Sequence, residues 1–373
     1  MDVVNPISGI VDDVHIKGLI MKKRLFGCLV AVLVVIACAM PVTAFATEND
    51  LMLGTQASPA TWSRLGGANA IGTMSEVVDV AYPNRNSCST VILATNDGYW
   101  DALTASGLAG LYDCPVLLTE PYYLPDLTKY QIARLNPKNI VIAGGTLAVS
   151  PAVDAQILEG YPDMNITRAA GSDAVGTALD IYNKGKSVNG GWGKTAIIAT
   201  SGGYWDALSA SPYSFNKHYP VFLASEGGSA KSLRSDTLAA IKSGGFTRVF
   251  ICGGTAAISS NVEKQLSGIS TKRLAGATAI ETSQAVANQC VADGMSPNNL
   301  CVATSEGYWD GLTGAALAGG KNAPLILARP GAPSTATSGF VNSHKNEITQ
   351  GYVLGGPAAV PDATLNALKQ ATK

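Results

Sequence analysis

The sequence predicts an α/β fold of three consecutive modules, each with a parallel sheet covered by helices on both faces. The phrase Gly-Tyr-Trp-Asp occurs three times, at residues 98–101, 203–206 and 307–310, with spacings of 105 and 104 residues. Short β-branched runs alternate with segments of helical periodicity, as a doubly wound parallel sheet requires. Hydrophobic residues make up 47% and charged residues 14% of the chain, which favours packed cores over disorder.

Other landmarks keep the same register in each repeat. Each unit opens with an arginine that a glycine follows two or three residues later, and each continues with a proline-led apolar run and an apolar run that ends in a glycine pair. These landmarks place the modules at residues 62–165, 166–270 and 271–373, with residues 47–61 as a linker. Modules of this length can each bury a core, so they are small domains and not solenoid rungs.

The elements of the first module follow from its apolar periodicity and its turn residues. The strands are continuous apolar runs, typical of strands buried on both faces, and one begins with proline, where the missing donor does little harm. The last helix has serine at its N-cap and proline at its first position. The predicted elements are a helix at 73–82, a strand at 90–94, a helix at 101–111, a strand at 115–118, a helix at 127–135, a strand at 140–143 and a helix after Ser150.

Residues 1–46 have the pattern of a leader that is removed on export. Met21 begins a basic segment and is the expected start, residues 25–36 are apolar, and Ala44-Phe45-Ala46 matches the motif that signal peptidase recognises. The apolar run is shorter than the ~20 residues that a membrane-spanning helix needs. The exported chain is therefore expected to begin at Thr47.

A second processing site remains open. Val35-Ile36-Ala37-Cys38 resembles a lipobox, which would leave a lipid on Cys38 and hold the protein at the membrane. N-terminal sequencing of the exported form distinguishes the two sites.

Charge, cysteine and histidine usage exclude several functional classes. The formal net charge is −1, so the chain lacks the basic excess of a nucleic-acid-binding protein. No zinc-type cysteine spacing occurs and the chain has three histidines, so we expect no metal site and no cofactor.

Export permits disulfides, and Cys88 and Cys114, each before a strand of the first module, are the expected pair. Cys290 with Cys301 is a weaker candidate, and Cys252 is expected to be a buried free thiol.

The ordered motifs resemble those of the cell wall binding repeat 2 family of Gram-positive surface proteins. The resemblance rests on four motifs in a fixed order, and it covers the three modules. The arginine comes first, followed by strand–x-GYWDALxAS–helix, then P-[VL]-x-L, and then an apolar run that ends in a glycine pair. It implies three tandem Rossmann- or Toprim-like modules about a pseudo-threefold axis, and non-covalent attachment to an anionic wall polysaccharide. Members usually carry a separate effector domain, for which residues 47–61 and the end at Lys373 leave no room, so the chain is expected to be all anchor.

One departure from the family pattern is shared by all three repeats. The family opening usually reads Arg-x-x-Gly-x-[DN]-Arg-[YF]-x-Thr, and alanine replaces the second arginine here, at Ala70, Ala174 and Ala279. If that arginine holds the anionic polymer in relatives, this chain binds differently, more weakly, or to another ligand.

Each repeated side chain has a structural interpretation beside the functional one. The arginines Arg64, Arg168 and Arg273 could bind phosphate or carboxylate groups, or form ion pairs within and between modules. The aspartates Asp101, Asp206 and Asp310 could stabilise a helix N-terminus, accept from saccharide hydroxyls, or pair with those arginines. The aromatic pairs could stack on sugars or pack the seam between modules; they are Tyr99 with Trp100, Tyr204 with Trp205, and Tyr308 with Trp309.

No catalytic pattern accompanies these residues. The glycine pairs match neither dinucleotide-binding nor P-loop motifs, and no nucleophile elbow with a histidine partner occurs, so the chain is not expected to be an enzyme. The expected function is attachment to a wall polymer, with equivalent arginines as its contacts. Replacing the arginines by Gln should then lower wall association stepwise with little change in melting temperature. A soluble or lipid-tethered sugar-binding protein, such as a wall scaffold or surface-layer component, is the alternative, and a wall hydrolase comes third.

Overall fold

The computed structural model describes residues 58–225, 232–331 and 333–373. The predicted leader, Met21, the cleavage site before Thr47 and the lipobox cysteine lie outside these ranges. Within them, no helix has the length and apolar character needed to cross a bilayer.

The described residues form twelve strands and thirteen helices in alternation. In chain order the strands are β1 Thr61–Leu65, β2 Thr90–Thr95, β3 Val116–Thr119, β4 Asn139–Ala143, β5 Asn165–Ala169, β6 Thr195–Thr200, β7 Val221–Ala224, β8 Arg248–Cys252, β9 Ser270–Leu274, β10 Asn299–Thr304, β11 Leu325–Ala328 and β12 Gln350–Leu354. The helices are α1 Ala70–Ala81, α2 Trp100–Thr104, α3 Ser106–Tyr112, α4 Asp126–Leu135, α5 Pro151–Gly160, α6 Ala174–Gly185, α7 Trp205–Lys217, α8 Ser235–Ser243, α9 Asn261–Gln265, α10 Ala279–Ala292, α11 Gly314–Gly320, α12 Thr335–Ser343 and α13 Asp362–Ala371.

The predicted alternation in the first module is confirmed. The strands at 90–94, 115–118 and 140–143 correspond to β2, β3 and β4, and every residue of β2 and β3 is buried. The helix after Ser150 is capped as expected, because the backbone N–H of Ala152 donates to Ser150 Oγ at 3.1 Å. The helix predicted over 101–111 is divided at Ala105 into α2 and α3.

The three parallel sheets have equivalent strand orders, which are β3-β2-β4-β5, β7-β6-β8-β9 and β11-β10-β12-β1. The fourth strand of each sheet carries the arginine that opens a repeat. The sheets are therefore displaced from the sequence repeats by one strand: the opening strand of the second repeat completes the first sheet, and that of the third repeat completes the second.

The third sheet is completed by β1, from the other end of the described chain. Thr61 pairs with Gln350 and Leu65 with Leu354 in a parallel ladder. Trp62 packs its indole over Gly351, where an added Cβ would lie 2.2 Å from the ring, and donates from Nε1 to Thr372 Oγ1 at 3.0 Å. The first and last modules are thus joined without a covalent link, and the three modules form a closed ring.

Small residues allow the helices of neighbouring modules to approach closely. A Cβ at Gly110 of α3 would lie 2.1 Å from the Phe215 carbonyl oxygen of α7, and one at Gly319 of α11 would lie 2.7 Å from the Phe215 ring. Helices α3, α7 and α11 pack against one another around Leu108, Phe215 and Leu317, all buried. The small-residue helices of the sequence therefore supply the contacts between modules.

The expected disulfide is not formed in this structure. Cys88 and Cys114 are both free and buried, as are Cys252, Cys290 and Cys301. Ile92 pairs with Val116, so the register of β2 and β3 places Cys114 level with Thr90, two residues beyond Cys88. That offset and the strand spacing separate the Cα atoms by about 8 Å, more than the ~7 Å that a bridge allows. Burial raises the pKa of Cys114 and Cys252, which keeps both thiols protonated and unreactive.

Candidate functional site

Three tyrosines of the repeated turn meet at the centre of the ring. The ring centroids of Tyr99 and Tyr204 are 5.7 Å apart, those of Tyr99 and Tyr308 5.4 Å, and those of Tyr204 and Tyr308 5.5 Å. Each pair is edge-to-face, with interplanar angles of 61–62°. This arrangement is the favourable one for aromatic quadrupoles. The pseudo-threefold arrangement of modules is confirmed. Of the two roles expected for the aromatic pairs, stacking on sugars and packing between modules, the tyrosines have the second.

The tryptophans connect each module to the next while keeping part of the ring exposed. Trp100 Nε1 donates to the Ser201 carbonyl oxygen and Trp205 Nε1 to that of Ser305, both at 2.7 Å. The glycine of each turn lies under the indole, since a Cβ at Gly203 would be 2.8 Å from the ring of Trp205. Trp100 and Trp205 are 37% exposed and Trp309 is 48% exposed, so each ring keeps a surface that a ligand can cover.

The three aspartates of the turn lie against the first glycine of the glycine pair. A Cβ at Gly144 would lie 2.5 Å from Asp101 Oδ2, and equivalent atoms at Gly253 and Gly355 would lie 2.4 Å from the Oδ2 atoms of Asp206 and Asp310. These three glycines have φ of +114°, +118° and +107°, a conformation that glycine adopts without strain. Glycine is required here both by the backbone and by the carboxylate.

No hydrogen bond or ion pair joins the carboxylates of Asp101, Asp206 and Asp310 to a described residue, and none of their oxygens is among the buried side-chain atoms without a partner. The repeat arginines pair with other acidic residues, so the expected aspartate–arginine pairs are not formed. Asp101 and Asp206 do lie in the first turns of α2 and α7, as the helix N-terminus interpretation expects. Burial without a partner raises the pKa of Asp101 to about 6 and that of Asp206 to about 7. Asp206 is buried and Asp101 and Asp310 are partly exposed, so the three carboxylates are desolvated to different extents.

Cavities open beside two of these carboxylates. One has a volume of about 380 Å³ and lies between Trp100, Asp101, the loop at Leu147 and the start of α6. The other, of about 410 Å³, lies between Trp309, Asp310, the loop at 356–359 and the start of α1, and Asn96 of the first module also lines it. We refer to these cavities, and to the equivalent position at Trp205 and Asp206, as the Trp–Asp pockets.

The alanines that depart from the family pattern lie in these pockets. Ala174 lines the first pocket and Ala70 the second, each as the first residue of its helix. A long basic side chain at either position would start within the cavity. Its replacement by alanine leaves the neighbouring carboxylate without the cation that the family pattern would place beside it.

The repeat arginines have structural partners and do not line these pockets. Their side chains are only 16–20% exposed. Arg168 donates to the Gly144 carbonyl oxygen at 3.0 Å and to both oxygens of Asp154 at 3.0 and 3.1 Å. Equivalent contacts join Arg64 to Gly355 and Asp362, and Arg273 to Gly253 and Glu263. Of the two roles expected for the arginines, the structure therefore favours the ion pair.

Replacing Arg168 by Gln should destabilise the fold by about 2–3 kcal/mol, between the effects of exposed and fully buried ion pairs. Asp154 would lose its cation, and the carbonyl oxygens of Gly144 and Val149 would lose their donor. Urea unfolding at neutral pH measures the change. A matched R85Q variant, at an arginine that is exposed, should change stability by less than about 0.5 kcal/mol. An unchanged urea midpoint for R168Q would restore the ligand-binding interpretation.

Asn96 is a further residue of the site, at a position that differs between the repeats. Its Nδ2 donates to Glu120 Oε1 at 2.8 Å, while its Oδ1 is buried without a hydrogen-bond partner. The sequence feature that could have identified Asn96 is its position directly after the buried strand β2, because ligands of parallel sheets often bind at the loops that follow the strands.

Comparison with known proteins identifies the fold and the repeats. The family model described as cell wall binding domain 2 matches residues 64–154, 168–263 and 273–365. The matched segments coincide with the three sequence repeats and contain all three Tyr–Trp–Asp turns.

Curated relatives and solved structures agree with this match. The chain is 29% identical over 306 residues to the N-acetylmuramoyl-L-alanine amidase LytC of Bacillus subtilis, with 82% of this chain and 58% of that protein covered. It is 27% identical over 317 residues to the amidase enhancer of the same organism, covering 83% of this chain and 40% of that protein. Cwp6 from Clostridium difficile superposes with a TM-score of 0.75 at 25% identity, over 84% of this chain and 48% of Cwp6. Cwp8 from the same organism gives 0.73 at 24% identity, over 84% and 52%. The chain thus spans about half the length of these proteins.

Proposed function

This chain belongs to the cell wall binding domain 2 family, and we propose that it is an exported protein that attaches non-covalently to an anionic polysaccharide of the cell wall. The observation that carries the proposal is the Trp–Asp pair that recurs in all three repeats, with a cavity beside two of the copies. Each combines a partly exposed indole, which can stack on a sugar face, with a carboxylate that can accept hydrogen bonds from the ligand.

The closed ring supports multivalent attachment. Each Trp–Asp pair alone offers a small contact, whereas the three equivalent pairs of one closed ring can engage successive units of a repeating polymer. Linked sites of this kind can raise the overall affinity by ~10²–10⁴ without improving any single contact. The chain has a formal net charge of −1, so it produces little long-range electrostatic attraction for a charged polymer. We therefore assign the affinity to these local contacts.

Localisation at the wall rests on the leader pattern of residues 1–46 together with the family. A lipid on Cys38 is the alternative, and it would hold the same pockets at the membrane surface. Partition into detergent distinguishes the two forms, because only the lipidated chain enters the detergent phase. We propose attachment without catalysis, so walls incubated with the protein should not lose turbidity.

A sedimentation experiment tests the proposal. Purified walls should carry the protein into the pellet, and walls stripped of their secondary polysaccharide should leave it in the supernatant. Equal sedimentation with both preparations would contradict the proposal and place the ligand in peptidoglycan itself.

Replacing the exposed tryptophans should weaken wall binding in steps. We expect each of W100A, W205A and W309A to lower the apparent affinity by about tenfold, equivalent to ~1.4 kcal/mol per stacking contact, and the triple variant to abolish sedimentation. W100F keeps an aromatic face but loses the 2.7 Å seam hydrogen bond, and it should retain most of the binding. Y130A, at an aromatic residue that is 45% exposed and outside the pockets, is the matched control. Full sedimentation of a folded triple variant would exclude the indoles as contacts.

A further inference from the structure

Of the three aspartates of the repeated turn, Asp206 is buried, whereas Asp101 and Asp310 are partly exposed. Asp206 is only 8% exposed, and no hydrogen bond or ion pair to its carboxylate is found among the described residues. A buried carboxylate that lacks a partner is costly, and asparagine would fit the same space without a charge. The chain nevertheless has aspartate at all three equivalent positions, 101, 206 and 310.

The repeat arginines are engaged with other groups, except that Nη2 of Arg273 is buried without a hydrogen-bond partner. Arg64, Arg168 and Arg273 donate to glycine carbonyls and to acidic residues of α13, α5 and α9. The first turns of α1 and α6 line the two cavities, but their N-caps Asn69 and Asp173 already accept from Gly72 and Gly176. A helix N-terminus also carries only about half a unit charge, less than the full charge of the carboxylate. The pockets therefore present a net excess of acceptors and negative charge.

The groups around the carboxylate match an ammonium ion. At the pocket of Asp310, the indole of Trp309 offers a π face to a cation, and Asn96 adds a buried amide oxygen without a donor. An ammonium group supplies a positive charge and three donors, which can satisfy a carboxylate, an amide oxygen and a π face together. A phosphate or carboxylate of the polymer would instead meet like charge at the aspartate.

We propose that each Trp–Asp pocket binds a primary ammonium group carried by the wall polymer. This inference rests on the proposed function, because it names the chemical group that those same pockets recognise. The ammonium could belong to an amino sugar or to an aminoacyl ester on the chain. In either case the polymer is anionic overall but is recognised at its amines.

The isolated protein provides a direct test. Titration with D-glucosamine should shift the indole N–H resonances of Trp100, Trp205 and Trp309 in NMR spectra, whereas N-acetyl-D-glucosamine should leave them unchanged. The triple variant D101N/D206N/D310N should lose the response. D126N, at an exposed aspartate that pairs with Lys129, should retain it. The absence of any difference between the two sugars would overturn the inference and favour recognition of hydroxyl groups.

Chemically modified walls identify the source of the amine. Acetic anhydride, which acetylates all amines, should weaken sedimentation by about tenfold or more. Mild base, which removes aminoacyl esters, should do the same only if the amine is an ester substituent. Unchanged binding to acetylated walls would overturn the inference while leaving wall attachment intact. A protein that binds no wall preparation would contradict the proposed function, and the glucosamine titration would still decide the ammonium inference.

Discussion

Replacing Trp62 by Ala should destabilise the protein by about 3–5 kcal/mol, the usual cost of removing a buried tryptophan. The indole is 6% exposed, it lies directly over Gly351, and its Nε1 donates to Thr372 at 3.0 Å. These contacts hold β1 against β12, where the third sheet takes its fourth strand from the other end of the described chain. Loss of the indole therefore weakens the junction that closes the ring.

Hydrogen exchange and urea unfolding measure the effect together. W62A should lower the urea midpoint and speed exchange first in β12, whose ladder with β1 would open before the rest of the ring. Y122A, at a tyrosine that is 71% exposed, should change stability by less than about 0.5 kcal/mol. Equal midpoints for the two variants would show that ring closure does not depend on the first strand.

Local structure could be predicted from the sequence because its signals are short-range. The strands β2, β3 and β4 are continuous apolar runs, and the Ser150–Pro151 pair marks the start of α5. The repeated Gly-Tyr-Trp-Asp phrase fixed the number of modules. Each of these signals lies within a few residues of the element that it predicts.

Long-range pairing could not be predicted in the same way. The partners of Arg64 lie 291 and 298 residues away, and no local pattern shows that the opening strand of a repeat joins the preceding sheet. The disulfide expectation failed for a related reason. Placing both cysteines near the same end of a sheet ignored the two-residue offset in register that separates Cys88 from Cys114.

The site was predicted in part. The repeated turn supplied the right residues, but the sequence favoured the arginines as ligand contacts because their chemistry suits anions. Charge type alone does not reveal which side chain is already paired in the fold. The structure pairs Arg168 with Asp154 and gives Asp101 and Asp206 no hydrogen-bond partner among the described residues, so the emphasis moves from the arginines to the aspartates.

Replacing Asp206 by Asn should stabilise the protein at pH 8, by a free energy on the order of 4 kcal/mol. Burial raises the pKa of this carboxyl from about 3.9 in an unfolded chain to about 7 in the fold. Between these values the folded state binds more protons than the unfolded state, so stability falls as pH rises from about 4 to about 7. The penalty is complete above pH 7 and absent below about pH 4. Asparagine has the same shape and does not ionise, so D206N avoids the penalty.

Thermal unfolding at pH 4, 6 and 8 tests this prediction. The difference in melting temperature between D206N and the parent protein should be near zero at pH 4 and largest at pH 8. D126N, at an exposed position, should show no such trend.

The same D206N variant should bind walls more weakly, because the charge that destabilises the empty pocket is the charge that the ligand neutralises. If D206N is less stable than the parent protein at pH 8, the carboxylate has a favourable partner in the free protein. The carboxylate would then give no reason to expect an external cation.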